Sequence, residues 1–147
     1  MITRRRLIVA AAALPVAACQ TTSSELKPDP SLTPANSALL VVYRPRQLFH
    51  SANPEKPYVY LNGQHIGNLG TGDAISWRVP PGEHKISMRQ MVLFSPAWEI
   101  GTVPVTTETG KVYYVRYSYD MTGIVGTYPT GSSSLHQVDE ATGRLFK

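Results

Sequence analysis

The sequence predicts an all-β fold over residues 38–147: a small antiparallel β-sandwich, or partly open barrel, of about seven to nine short strands. Three observations carry this. Short runs rich in Val, Ile, Tyr and Trp recur along the chain, several of them alternating apolar and polar. Gly, Pro and Asn turn signals fall between them at regular spacing. Beyond Cys19, no run of ten or more residues keeps an apolar period near 3.6.

Ala38-Leu39-Leu40-Val41-Val42-Tyr43 is a continuous apolar run, the pattern of a strand covered on both faces. Arg44-Pro45-Arg46 ends it, because proline cannot donate to a ladder. After a polar loop to Pro57, Tyr58-Val59-Tyr60-Leu61 meets Asn62-Gly63. That dipeptide supplies the two positive-φ residues of a type I′ hairpin turn, and Gln64 to Leu69 returns as the partner strand. Gly70-Thr71-Gly72-Asp73 is a loop. Ala74 to Val79 alternates, with Ile75, Trp77 and Val79 on one face. Pro80-Pro81-Gly82-Glu83 turns the chain, and His84 to Met91 alternates on the way back. Trp98 to Thr107 and Val112 to Tyr119 form a further pair across Thr109-Gly110-Lys111. Met121 to Ser134 is rich in Gly, Ser and Thr and reads as a long loop. Leu135 to Val138 is a last short strand, and a turn at Thr142-Gly143 brings in Leu145-Phe146.

The N-terminus is organised differently. Arg4, Arg5 and Arg6 precede the twelve residues Leu7 to Ala18, apolar but for Pro15, with small residues just before Cys19. This layout predicts a secretory signal peptide over 1–18. The apolar part is too short for a membrane span, which needs roughly 20 residues. Val16-Ala17-Ala18-Cys19 resembles a bacterial lipobox, which implies lipidation of Cys19 as the mature N-terminus and anchoring in a membrane through its acyl chains. Cys19 is the only cysteine, so no disulfide framework is expected. Gln20, where an inner-membrane signal would have Asp, implies by the enterobacterial sorting rule the outer membrane, facing the periplasm. Thr3-Arg4-Arg5-Arg6-Leu7-Ile8 partly resembles a twin-arginine signal, but no cofactor is expected that would require folded export, so general secretion is favoured. Residues 19–37, polar and broken by Pro28, Pro30 and Pro34, are expected to form a lipidated N-terminus and flexible tether.

Charge excludes one class of function. The formal net charge is +4, from 14 basic and 10 acidic residues, but Arg4 to Arg6 fall in the signal segment, so the mature chain is nearly neutral. Nucleic-acid binding, which needs a clustered basic face, has no support.

The catalytic and metal patterns are weak. Gly67, Gly70 and Gly72 run in the reverse order of the dinucleotide fingerprint, and no helix follows them. His50, His65, His84 and His136 are scattered singly; His65 and His84 could meet Asp73 only if their strands were neighbours, so no metal site is expected. Ser132, Ser133 and Ser134 lie near His136, with Asp120 or Asp139 available to orient the ring, but there is no G-x-S-x-G elbow. Glu83, Glu99 and Glu108 fall at strand ends or turns, where charge is simply solvated. The tyrosines are the more informative group. Tyr113, Val115, Tyr117 and Tyr119 share one face of a strand, with Tyr58 and Tyr60 as a second stripe. Facing water, Tyr113, Tyr117 and Tyr119 would offer a binding surface for sugars or a partner protein; facing inward, they are core.

Tyr43-Arg44, then Asn62-Gly63 with Gly67, then Pro81-Gly82-Glu83-His84, then Gly110, Tyr113, Tyr114 and Arg116 together resemble a bacterial lipoprotein domain family of unknown function, akin to PEGA-type β-sandwich modules. The resemblance spans most of Ala38 to Lys147; Gly82-Glu83 reverses the Glu-Gly order of that pattern. It implies a small, non-enzymatic envelope module and carries over no functional residues. The expected function is therefore a lipid-anchored, non-catalytic binding or assembly module with an envelope protein as partner. The alternatives are a module binding glycan or peptidoglycan through exposed tyrosines, and, less favoured, a small hydrolase built on Ser134, His136 and Asp120 or Asp139.

Overall fold

The structure is a computed structural model that describes residues 26–46, 56–92, 95–126 and 128–146. The expected signal peptide and Cys19 lie outside the described residues. Among the described residues, eight strands and one short helix follow in order: β1 Ala38–Tyr43, β2 Tyr58–Leu61, β3 Gln64–Asn68, β4 Ala74–Val79, β5 Gly82–Val92, β6 Ser95–Thr107, β7 Val112–Val125, β8 Tyr128–Val138 and α1 Glu140–Arg144. They form a sandwich of two four-stranded sheets, β4-β1-β7-β8 and β3-β2-β5-β6. The small all-β sandwich expected from the strand pattern is thus the observed fold.

The core is made by period-two alternation from both sheets. Leu40 and Val42 of β1, Val59 of β2, Ile86 and Met88 of β5, and Val115 and Tyr117 of β7 are each 1% exposed or less. The Asn62-Gly63 turn has φ of 50° and 83° at its two central residues, as a type I′ turn requires. The Asn62 side-chain oxygen then accepts the Lys85 backbone N–H at 2.8 Å, tying the hairpin to β5.

Four expectations need correction. The sandwich is not wholly antiparallel: β1 and β7 pair in parallel, from Leu39 opposite Val112 to Tyr43 opposite Arg116. The Met121–Ser134 stretch is not a loop but the outer half of the long β7–β8 hairpin, with a register shift between Met121 and Gly123. Its Gly, Ser and Thr hide no apolar face, yet a backbone ladder needs none. At Gly131 the small residue is required, since a Cβ there would lie 2.8 Å from the Tyr119 ring and closer still to the Asp120 carbonyl. The turn at Thr142-Gly143 is instead part of α1.

Nor is the whole of 19–37 a free tether, for the chain is held to the sandwich at Leu26, Leu32 and Ser37 while the residues between them are exposed. The Leu26 N–H donates to the His65 carbonyl of edge strand β3 at 2.8 Å, and Leu26 packs on the core cluster. Asp29 accepts from the Ser31 N–H at 2.9 Å, and Asn36 accepts from the Thr33 N–H at 2.6 Å. Pro28 and Leu32 then flank a small cavity with Leu39 and Arg78 on the outer face of the other sheet. Two leucines anchor the segment, and prolines reduce the entropy lost on ordering it. This strap and α1 together cover the second face of β1, so its unbroken apolar run finds the two-sided burial that the sequence implied.

Candidate functional site

Strand direction decides which chain ends meet. β1 and β7 run the same way, so Tyr43 at the end of β1 lies beside Arg116. β4 runs opposite and begins there, with Ala74 beside Tyr43. The β3–β4 loop arrives at the same end: the Gly72 N–H donates to the Arg44 carbonyl at 2.9 Å, and the Arg44 N–H to the Asp73 carbonyl at 3.0 Å. Across the outer face of this sheet, Ala74, Tyr43, Arg116 and His136 form one row.

α1 folds back over that face. Asp139 caps it, one carboxylate oxygen accepting the Thr142 N–H and the other the Thr142 hydroxyl, both at 2.8 Å. Gly143 is buried against the Tyr114 ring. The chain beyond α1 then lays Phe146 on Tyr43, with ring centroids 4.6 Å apart, while Tyr114 meets Tyr43 edge-on at 6.5 Å.

Between this aromatic wall and the β3–β4 loop opens a cleft of about 570 Å³, lined by Tyr43, Arg46, Gly72, Arg116, Thr142 and Phe146, with Pro45 and Leu145. Its volume lies within the range of small-molecule sites. Leu145 is 84% exposed, an apolar side chain left in water at the cleft wall. Two guanidiniums line it. Neither Arg46 nor Arg116 forms a salt bridge among the described residues, whose ion pairs are Lys111–Glu108 and Arg144–Glu140. The Arg116 Nε is buried with no hydrogen-bond partner. Burial pushes the Tyr43 phenol above its ordinary pKa; Arg116 opposes the shift and Asp139 adds to it. The phenol is therefore a proton donor at neutral pH.

The Asp139 cap ties the cleft wall to pH. The Thr142 backbone N–H, followed by its hydroxyl, holds the Asp139 carboxyl below the ordinary carboxylate range. A depressed pKa means the cap stabilises α1 above the unfolded-state value and is lost as pH falls through the lowered folded-state value. Backbone amides at 142–146 are expected to exchange faster only under such acid conditions. Asp139→Ala should show the faster exchange at neutral pH already, checked by hydrogen–deuterium exchange.

The residues singled out from sequence are placed elsewhere. Tyr117 is 1% exposed, and Tyr113 and Tyr119 pack against the core cluster, so the face carrying Tyr113, Tyr117 and Tyr119 is the interior face and not a binding surface. The outward stripe is Tyr58 and Tyr60, but His65 sits 5.2 and 5.6 Å from their rings, and the Arg89 guanidinium lies 5.3 Å from the Tyr60 ring centre. His65 and His84 lie on strands at either side of β2, and Asp73 belongs to the loop leading into the other sheet. His84 bonds instead to the Pro80 carbonyl at 2.8 Å. Among the described residues no group of three or more His, Cys, Asp and Glu side chains could hold a metal. Asp120 stands opposite Ser132, while His136 stands opposite Arg116, four register steps away and so about 13 Å along the ladder. Asp139 is engaged in its cap. Ser134, His136 and either carboxylate are therefore not assembled as a triad. Glu83 faces Thr106 across β5 and β6, Glu99 accepts from Thr102, and Glu108 pairs with Lys111.

Arg46 and Phe146 were not singled out in the sequence. Arg46 read only as part of a strand-ending Arg-Pro-Arg. Asp139 three residues before Thr142, with Gly143 in the following turn, is a helix-start signal that could have located α1.

Fold and cleft define a β-sandwich module with a ligand-sized recess on an outer sheet face. The chain belongs to the DUF2846 family, a protein family of unknown function whose model matches residues 34–130. Tyr43, Arg46, Gly72 and Arg116 lie within the matched segment, whereas Thr142 and Phe146 lie beyond it. No curated protein matches the chain.

Proposed function

We propose that this protein is an exported, lipid-anchored bacterial lipoprotein with a PEGA-like sandwich, acting as a non-catalytic binding module at the periplasmic face of the outer membrane. The cleft beside Phe146 is its binding site. The observation that carries the binding role is this recess, where two arginines with no carboxylate partner among the described residues meet an aromatic wall and an exposed leucine. Polar groups converging in an apolar recess are what a recognition site needs.

The anchor reading rests on Arg4 to Arg6, the apolar run and the lipobox-like Val16 to Cys19. Since the chain is attached to the sandwich at Leu26, the seven peptide steps from Cys19 reach at most about 25 Å. The body then stays close to the bilayer, which raises its effective concentration toward other anchored components. In a bacterial host, the full chain should fractionate with membranes, and intact mass should show an acylated N-terminus at Cys19. Cys19→Ser should release it into the soluble periplasmic fraction. A mature chain with a free Cys19 thiol, or one starting elsewhere, overturns the anchor.

A further inference from the structure

We propose that the cleft recognises an oxyanion, a carboxylate or phosphate carried on a compact organic body, held between the guanidiniums of Arg46 and Arg116 with its body against Phe146. The inference rests on the reading of the cleft as the binding site and adds the chemistry of what enters it.

Three features point to this ligand. First, two cationic side chains line one recess, and neither is neutralised by a carboxylate among the described residues. An arginine whose task is structural is ordinarily paired, since leaving its donors unmatched away from water is costly. Arg116 comes from β7, and its Nε is buried with no hydrogen-bond partner among the described residues, so this guanidinium is partly desolvated. Second, guanidinium geometry fits carboxylate and phosphate oxygens with two parallel hydrogen bonds, and desolvation strengthens such bonds. The protonated phenol of Tyr43 and the hydroxyl-bearing Thr142 share the recess, and the phenol adds a neutral donor. Third, the wall opposite the charge is apolar. Phe146 is stacked on Tyr43 at 4.6 Å and so held in place, and Leu145 stands exposed beside it. A bare inorganic ion would use the arginines and leave that wall wet. A group with a ring or short apolar body uses both.

The volume, about 570 Å³, suits a ligand of this size. Among the described residues, Asp139 is the carboxylate that acts on the Tyr43 phenol, and both of its oxygens accept from Thr142. It therefore leaves the anion's place open.

The full chain, purified from whichever cell fraction holds it, is titrated calorimetrically with benzoate, phenyl phosphate and the uncharged benzamide. Saturable binding of benzoate or phenyl phosphate is expected, at least tenfold tighter than benzamide and weakening with added salt. Arg46→Gln, at an exposed position, should weaken it at least tenfold while leaving the circular dichroism spectrum unchanged. Arg116→Lys, which keeps the charge but loses the fork, should weaken phenyl phosphate binding as well. Benzamide binding as tightly as benzoate overturns the anion assignment and leaves the cleft a binding site. Saturation by none of the three overturns both, and full affinity in Arg46→Gln overturns the role of that arginine in holding the anion.

Discussion

Tyr117→Ala is expected to remove about 3–5 kcal/mol of folding stability, the range for deleting a large buried aromatic. The side chain is 1% exposed and sits in the middle of the sandwich, on the core face of β7 opposite Leu135. Its hydroxyl is 3.1 Å from the Ser133 Oγ, so even its polar tip is satisfied inside the protein. The fully buried Arg44 places its guanidinium 5.2 Å from the ring centre, a cation–π contact in a dry environment. Truncation therefore opens a cavity and also strips an aromatic face from a buried cation. Domains of this size have about 5–15 kcal/mol in total, so the variant should be largely unfolded at modest urea. Tyr117→Phe keeps the ring over Arg44 and loses the hydroxyl's hydrogen bond with Ser133, a loss of about 0.5–1.5 kcal/mol for a neutral pair. Urea titrations at a common slope measure both. A tyrosine serving as an exposed binding surface would show the opposite pattern, with lost binding and an unchanged midpoint. An unchanged midpoint for Tyr117→Ala would show that the β7 face has been assigned the wrong way round.

That contrast marks where sequence reasoning reached its limit. Alternation along Tyr113 to Tyr119 correctly divides the strand into two faces, but period-two spacing is symmetric and does not say which face is inside. The partner strands decide it: Val42 and Leu40 on β1 share the face of Val115 and Tyr113, and they are buried. The hairpin at Asn62-Gly63 was legible because two residues alone set its backbone. The β7–β8 hairpin beyond Met121 was not, because its stability lies in cross-strand pairing that no single stretch displays. The cleft is less visible still. Arg46 and Arg116 are 70 positions apart and become neighbours only through the parallel β1–β7 pair, a non-local choice with no local signature. Its far wall depends on α1, five residues long and held by one cap and one glycine, too short for a helical period to register.

That glycine gives the second large effect. Gly143→Val is expected to dismantle the cleft while sparing the sandwich. A Cβ at Gly143 would lie within 2.5 Å of three Tyr114 ring carbons, so helix and ring cannot both keep their places. Tyr114 is fixed in turn by its edge contact with Tyr43 and by its strand backbone beside Val41. α1, with a single turn and one capping residue, is the weaker element and should lift. Overpacking of this kind costs about 1–3 kcal/mol when the neighbour cannot yield. Here the helix can detach, so the global unfolding midpoint should move little. The loss appears locally instead. Phe146 leaves Tyr43, the apolar wall of the cleft goes with it, and benzoate or phenyl phosphate affinity should fall at least tenfold. Hydrogen exchange should rise across 139–146 and stay low in β1 and β7. Gly143→Ala, paired with Tyr114→Ala, supplies the control: with the ring removed, the new methyl has room, and the two changes together should disturb α1 less than Gly143→Ala alone. If Gly143→Val protects 139–146 as fully as the parent chain does, α1 does not rest on Tyr114, and the cleft lacks the wall on which its ligand is argued to lie.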